Sequence, residues 1–261
     1  MDKLYVIKIG GNIIDDESKL ALFLQAFSGV PGKKILVHGG GKLATRMAGQ
    51  LGIEQKLVDG RRITDSETLK IVTMVYAGYI NKQIVSGLQA LHCNAIGLSG
   101  ADGDSIRAHK RQHANIDYGY VGDVDAVNTG LIGSLLEQNI SLVFAPVTHD
   151  RQGQLLNTNA DTIAQEIATS MSGSYEVELI YTFEKSGVLL DATDDSTVIP
   201  VLRPSTYREL KTSEKIFSGM IPKLDNAFTA LDRGVRKVVI GRAEKLPELL
   251  EGKAGTSIVH E

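Results

Sequence analysis

One cysteine, no long apolar run and no excess of either charge set the first limits on this sequence. Cys93 has no partner for an internal disulfide, and its setting between Leu91 and Ser99 reads as packing beside an apolar strand rather than as a nucleophile. No apolar stretch reaches the ~18 residues that a membrane-spanning helix needs. Asp2, Lys3 and Lys8 interrupt the first eleven residues where a secretory leader would be continuously apolar, so a cytoplasmic location is expected. A formal charge of −3 gives no reason to expect nucleic acid or an anionic membrane as partner. Internal repeats and low-complexity tracts are absent. So are the G-x-x-x-x-G-K-[ST] and G-x-G-x-x-G patterns, which disfavours a P-loop NTPase and a Rossmann dehydrogenase.

What is present is enough apolar residue, 43% of 261, to bury one large domain or two lobes. Short Val- and Ile-rich runs alternate with stretches of helical periodicity, the pattern of a parallel sheet covered on both faces. Leu4 to Ile9 predicts a buried strand, followed by Leu20, Phe23, Leu24 and Phe27 at helical spacing. Lys34 to His38 predicts a second strand and Lys42 to Leu51 a helix. Glu54 to Arg62, with a turn at Asp59-Gly60, predicts a hairpin. Thr64-Asp-Ser-Glu67 reads as a capping box opening a long helix to about Leu91. Strands follow at Ala95 to Ser99 and Ser141 to Pro146, with a surface hairpin between Gly100 and Asp125 and a helix near Gly130 to Gln138. A helix starts near Asn159, with Asn159 as its N-cap, and the chain changes character around Ser172 to Ser174. That places a lobe boundary between residues 1–173 and 174–261. Strands at Val177 to Tyr181, Lys237 to Ile240 and Ser257 to Val259, and a helix from Ile221 to Arg233, complete the second part.

Two glycine-rich turns each follow a strand: Lys8-Ile-Gly10-Gly11 and His38-Gly39-Gly40-Gly41, the second opening directly into a helix. Backbone N–H groups free of Cβ obstruction, together with a helix N-terminus, suit phosphate oxygens. His38, at a strand end, reads as a structural hydrogen-bonding residue. His109 and His113 stand four apart among Arg107, Lys110 and Arg111, in a segment read as a hairpin, so no protein metal site is expected there.

With Gly60-Arg-Arg62-Ile-Thr64, Asn157-Thr-Asn-Ala-Asp161 and Gly219-Met-Ile-Pro-Lys223, these turns make five motifs in an order and spacing that resembles the acetylglutamate kinases over almost the whole chain. The resemblance implies a three-layer α/β/α sandwich around a mostly parallel eight-stranded sheet. It places acyl-glutamate and dimerisation in the N-terminal lobe and ATP with Mg²⁺ in the C-terminal lobe. It implies that Lys8 and Lys223 reach the transferring phosphoryl group from two sides, that Asp161 positions both, and that Gly40, Gly41, Arg62 and Asn157 bind the acceptor. Arg61 competes with Arg62 for the carboxylate. Gly10 and Gly11 are expected at the nucleotide. In Leu179 to Leu190 the usual aspartate after the strand is replaced by Phe183 and Glu184, with Lys185 and Gly187 expected to line the nucleotide site. A succinyl in place of an acetyl group on the substrate, or a non-catalytic acyl-glutamate sensor, are the alternatives. The resemblance also implies a homodimer, through the long helix with Ile71, Val72, Val75, Tyr79 and Ile80, and the first strand's start near Leu4 leads to the expectation of no arginine inhibition.

Overall fold

The structure is a computed structural model and describes residues 1–58, 61–191, 193–213, 216 and 220–260, without the side chains of Arg61 and Pro222. The Asp59-Gly60 turn, Gly219 and the Arg61 side chain of the sequence reading lie outside these.

The chain begins β1 (Lys3–Ile9), α1 (Gly11–Ile14), α2 (Glu17–Ser28), β2 (Lys33–His38) and α3 (Gly41–Gln50). A short hairpin of β3 (Leu57–Val58) and β4 (Arg61–Arg62) precedes α4 (Ser66–Val72), which runs through a π-helical stretch, Thr73–Ile80, into α5 (Asn81–Ala90). Then come β5 (Ala95–Leu98), β6 (Ile106–Lys110), β7 (Gly122–Val127), α6 (Thr129–Glu137), β8 (Ser141–Phe144), β9 (Val147–His149), β10 (Leu155–Asn157) and α7 (Ala160–Met171). The last part holds β11 (Glu176–Phe183), β12 (Val201–Leu202), α8 (Pro204–Thr212), α9 (Ile221–Asp232), β13 (Lys237–Arg242), α10 (Leu246–Leu250) and β14 (Thr256–Ile258).

Eight strands form the main sheet in the order β12-β14-β13-β11-β1-β2-β8-β5, parallel at every ladder except β13 with β14. Its central strands are apolar on both sides because helices cover both faces. Strand alternation sorts them. Leu4 and Val6 face a core with Ile163, Ile167 and Leu224 from α7 and α9, whereas Tyr5, Ile7 and Ile9 face one with Phe23, Ala44, Ile84 and Leu246 from α2, α3, α5 and α10. A second sheet, β10-β9-β6-β7, and the β3–β4 hairpin stand beside the main one. The chain leaves β1 for β2 on one side, while β11 lies on its other side. The ends of β1, β2 and β11 therefore open onto a topological switch point, where open α/β sheets leave a crevice.

Three readings need correction. Asp65, not Thr64, caps α4, its carboxylate accepting from Thr68 N at 2.7 Å. Thr64 is fully buried instead, its backbone held between Tyr118 O and Tyr120 N, so an isolated parallel bridge to Gly119 claims it before the helix can. Of the five apolar residues assigned to a subunit interface, Ile71, Val72, Val75 and Ile80 lie in the chain's own core, and only Tyr79 is exposed, at 60%, alongside Met74 at 58%. The strands β9, β10 and β12 and the helices α1, α8 and α10 are additions to the elements read from sequence.

Candidate active site

Lys8 is the penultimate residue of β1, and alternation turns its side chain away from Ile7 and Ile9, toward the α7 layer. Asp161 waits there in the first turn of α7, whose cap is Asn159: the Asn159 amide oxygen accepts from Asp161 N at 2.8 Å and Thr162 N at 3.1 Å. A carboxylate at that end complements the helix dipole. Lys223, in the first turn of α9, reaches the same carboxylate because α9 packs on α7. The result is one carboxylate between two ammonium groups, with Lys8 Nζ 2.8 Å from Asp161 Oδ1 and Lys223 Nζ 3.5 Å from Oδ2. Burial alone would raise the Asp161 carboxyl, but the two lysines outweigh it and hold the group below the ordinary range. Burial pulls the Lys223 ammonium below its ordinary value, helped by Lys8 and opposed by Asp161.

Gly40 is the position where glycine is indispensable. Its φ is +153°, and a Cβ there would collide with Ile80 Cδ1 and lie 3.0 Å from Tyr76 Cδ1. The Gly39–Gly41 turn is thus pressed onto the π-helical stretch, with its backbone left facing a cavity of about 420 Å³. Lys42, Arg62, Arg111, Tyr76 and Asn157 line that cavity, and among the described residues no acidic side chain does. Arg62 is pre-oriented: Nη2 donates to Gly41 O at 3.0 Å and Thr45 Oγ1 at 2.9 Å, and Nη1 donates to Gln55 Oε1. Asn157 Nδ2 donates to Thr64 Oγ1 at 3.0 Å, tying β10 to the residue after the β3–β4 hairpin. Arg111 is gripped by Asp123, its Nε 3.0 and 3.1 Å from the two carboxylate oxygens.

A larger cavity, about 1140 Å³, opens on the other side of the Gly41–Lys42 step. Gly10, Gly11, Phe183, Lys185, Gly187 and Lys223 are among its lining residues, which brings together all four residues expected at a nucleotide. Gly187 also has a packing duty, since a Cβ would fall 2.6 Å from both Thr256 Oγ1 and Val198 Cγ2. The ring of Phe183 lies under both lysines, its centroid 4.0 Å from Lys223 Nζ and 5.7 Å from Lys8 Nζ. His38 is fully buried, its Nδ1–H donating to Gly39 O at 2.8 Å, while Nε2 accepts from Asn81 at 3.2 Å. His109 pairs with Asp125 on β7 and His113 packs edge-on against Tyr118.

Lys42, Tyr76 and Arg111 are site-lining residues that the structure adds to those expected from sequence. The π-helical stretch that aims Tyr76 inward leaves no mark in a 3.6-residue pattern. Arg111 had a legible neighbour in the acid–base alternation of the β6–β7 hairpin. Lys42, directly after three glycines, was the most accessible signal.

A sequence model described as the amino acid kinase family matches residues 3–242. Acetylglutamate kinases of Phocaeicola vulgatus and Cytophaga hutchinsonii are each 55% identical, the first covering 95% of this chain and 96% of its own, the second 99% of both. Among solved structures, N-acetylglutamate synthase of Neisseria gonorrhoeae, in complex with coenzyme A and N-acetyl-glutamate, superposes at a TM-score of 0.83 and 21% identity. All of this chain aligns, to 60% of that longer one. Giardia lamblia carbamate kinase bound to AMP-PNP superposes at 0.70 and 12% identity over 100% of this chain and 99% of its own. At those identities the two structures attest the fold, whereas the matches to curated sequences go further: the chain belongs to the amino acid kinase family and, within it, to the acetylglutamate kinases.

Proposed function

We propose that this chain transfers the γ-phosphoryl group of ATP to the side-chain carboxylate of N-acetyl-L-glutamate, giving N-acetylglutamyl 5-phosphate for arginine biosynthesis. The observation that carries this reading is the Lys8–Asp161–Lys223 cluster, whose Lys223 lines a cavity large enough for a nucleotide, while Asn159 and Ala160, next to Asp161 in the chain, line a second cavity that holds cations and, among the described residues, no acid. The glycine turn at Gly10-Gly11 and the lysines around the larger cavity suit a polyphosphate, and ATP fits the space. Among the described residues no group of three or more His, Cys, Asp or Glu is placed to hold a metal. Mg²⁺ would be held chiefly by the phosphates of ATP, which supply most of its ligands, and would neutralise part of their charge.

The acceptor carboxylate, with an ordinary pKa near ~4.3, is already ionised at neutral pH, so no base is required. One of its oxygens attacks the γ-phosphorus while the bond to the β,γ-bridging oxygen breaks and ADP departs. Negative charge spreads over the transferring oxygens, and the two lysines with Asp161 present one net positive charge to it. Asp161 stays ionised and keeps both ammonium groups aimed. Gly40 and Gly41 offer backbone N–H groups to the acceptor and phosphoryl oxygens, while Arg62 and Asn157 bind the α-carboxylate and acyl-amide end.

On this reading residues 174–261 hold most of the nucleotide, with Gly10 and Gly11 contributing from residues 1–173, which hold the acceptor; a homodimer in the cytoplasm goes with it. No described helix is long and apolar enough to cross a membrane. Met74 and Tyr79 are the exposed apolar residues of the long helix, and light scattering measures the mass.

A second reading keeps the chemistry and changes the acyl group. A succinyl chain calls for a further cation in the acceptor cavity, and Arg111 places a guanidinium there. One panel tests both: ADP release and hydroxylamine trapping with N-acetylglutamate, N-succinylglutamate, glutamate, aspartate, carbamate and UMP. Hydroxamate from N-acetylglutamate is the expected result. Acyl-glutamate binding without any hydroxamate would make the protein a sensor of the same fold.

A further inference from the structure

We infer that Lys42 is a further catalytic residue, an ammonium group that contacts the phosphoryl oxygens as they pass from one cavity to the other. The inference rests on the kinase reading above. Among the described residues, Gly41 and Lys42 are the two that line both cavities, so the path of the transferred group runs past them. Lys42 projects from the first turn of α3, and its Nζ donates to Asn12 Oδ1 in α1, directly after the first glycine pair. It thereby bridges the two glycine-rich turns at the place where donor and acceptor must meet.

Its hydrogen-bond partner is a neutral amide, which does not cancel its charge. Asp15, the C-cap of α1, is within electrostatic reach of Lys42 and Arg46, yet no ion pair joins it to Lys42 among the described residues. Lys8 and Lys223 share one carboxylate between them, so Lys42 would double the net positive charge facing the phosphoryl group. A cation at this end of a helix opposes the helix dipole, which favours anions there, and the first turn of α3 contains no acidic residue. A cation so placed is disfavoured until an anion arrives. Its exposed side chain contributes nothing to either hydrophobic core.

The test compares wild type, Lys42→Met and Lys42→Arg by hydroxamate formation from N-acetylglutamate and ATP, with thermal unfolding as a control. Lys42→Met should lower kcat by roughly 10²-fold, leave KM for N-acetylglutamate within about threefold and unfold at the wild-type temperature; Lys42→Arg should recover part of the loss. Wild-type turnover in Lys42→Met, or a loss confined to KM for ATP, would overturn the inference and leave the kinase reading standing. Absence of hydroxamate from the wild type would remove both.

Discussion

Lys223 Nζ stands 4.0 Å from the centroid of the Phe183 ring, at the end of β11 where the family resemblance leads to the expectation of an aspartate. The ring face gives a half-buried ammonium an attractive surface without neutralising it, which an aspartate would do. A desolvated contact of this type is worth roughly 0.5–2 kcal/mol, equivalent to about 2- to 30-fold in rate if it acts on the transition state. Phe183→Leu is therefore expected to lower kcat within that range with KM for the acceptor unchanged, and Phe183→Tyr to stay near wild type. Equal kcat values for Phe183→Leu and wild type would show that Asp161 alone positions the lysine.

The acceptor and phosphoryl ends of the site should separate kinetically. Lys223→Ala removes a charge partner of the transition state and should reduce kcat by roughly 10²-fold or more while acyl-glutamate affinity holds. Arg62→Ala should chiefly raise KM, because its guanidinium, already held by Gly41 and Thr45, addresses the end of the substrate that does not react. Steady-state kinetics in both substrates decides. A Lys223→Ala enzyme with normal turnover would put that lysine outside the reaction.

The sheet was legible because its central strands obey a local rule: Leu4 to Ile9 and Lys34 to His38 are apolar on both faces and end in glycine. Lys8, Asp161 and Lys223 were legible from motif order, although their convergence on one carboxylate depends on α7 packing against α9. Very short strands such as β12, two residues long, have no period to detect. The helix α8 carries a local start signal in Pro204 at its first position. Thr64 and Asp65 could each have capped α4, and only the pairing of Thr64 with Tyr118 and Tyr120, more than fifty residues on, chose between them. Tyr76 and Arg111 come to the acceptor cavity from separate elements, a convergence that no local pattern encodes.

Gly40→Ala tests the pressure between the second glycine turn and the π-helical stretch. The new methyl would meet Ile80 Cδ1, and the backbone at φ +153° disfavours any Cβ. A loss of roughly 1–3 kcal/mol in stability and most of the activity is expected. Ile80→Val deletes the colliding carbon, so the double variant should regain part of the stability but not the conformational term. Additive urea-unfolding energies in the double-mutant cycle would mean that the turn moves away freely.

His38 should make the fold acid-sensitive above the usual carboxylate range. The ring is fully buried with Nδ1–H donating to Gly39 O, so Nε2 must remain unprotonated to accept from Asn81. Burial, reinforced by the charge of Lys82 and opposed by the Gly39 hydrogen bond, pulls its pKa from 6.5 to about 4. Between those values the unfolded chain binds a proton that the folded chain lacks, so stability rises with pH across the window and is lost on acidification from 6.5 toward 4. The full difference amounts to about 3 kcal/mol, most of it gone before the majority of carboxylates titrate. Urea unfolding of the wild type from about pH 7 down to about pH 5 should show this slope, and His38→Gln, which keeps an amide without a titrating ring, should flatten it. Parallel slopes in the two proteins would mean that the buried imidazole accepts a proton in place, with Asn81 turning its carbonyl toward it.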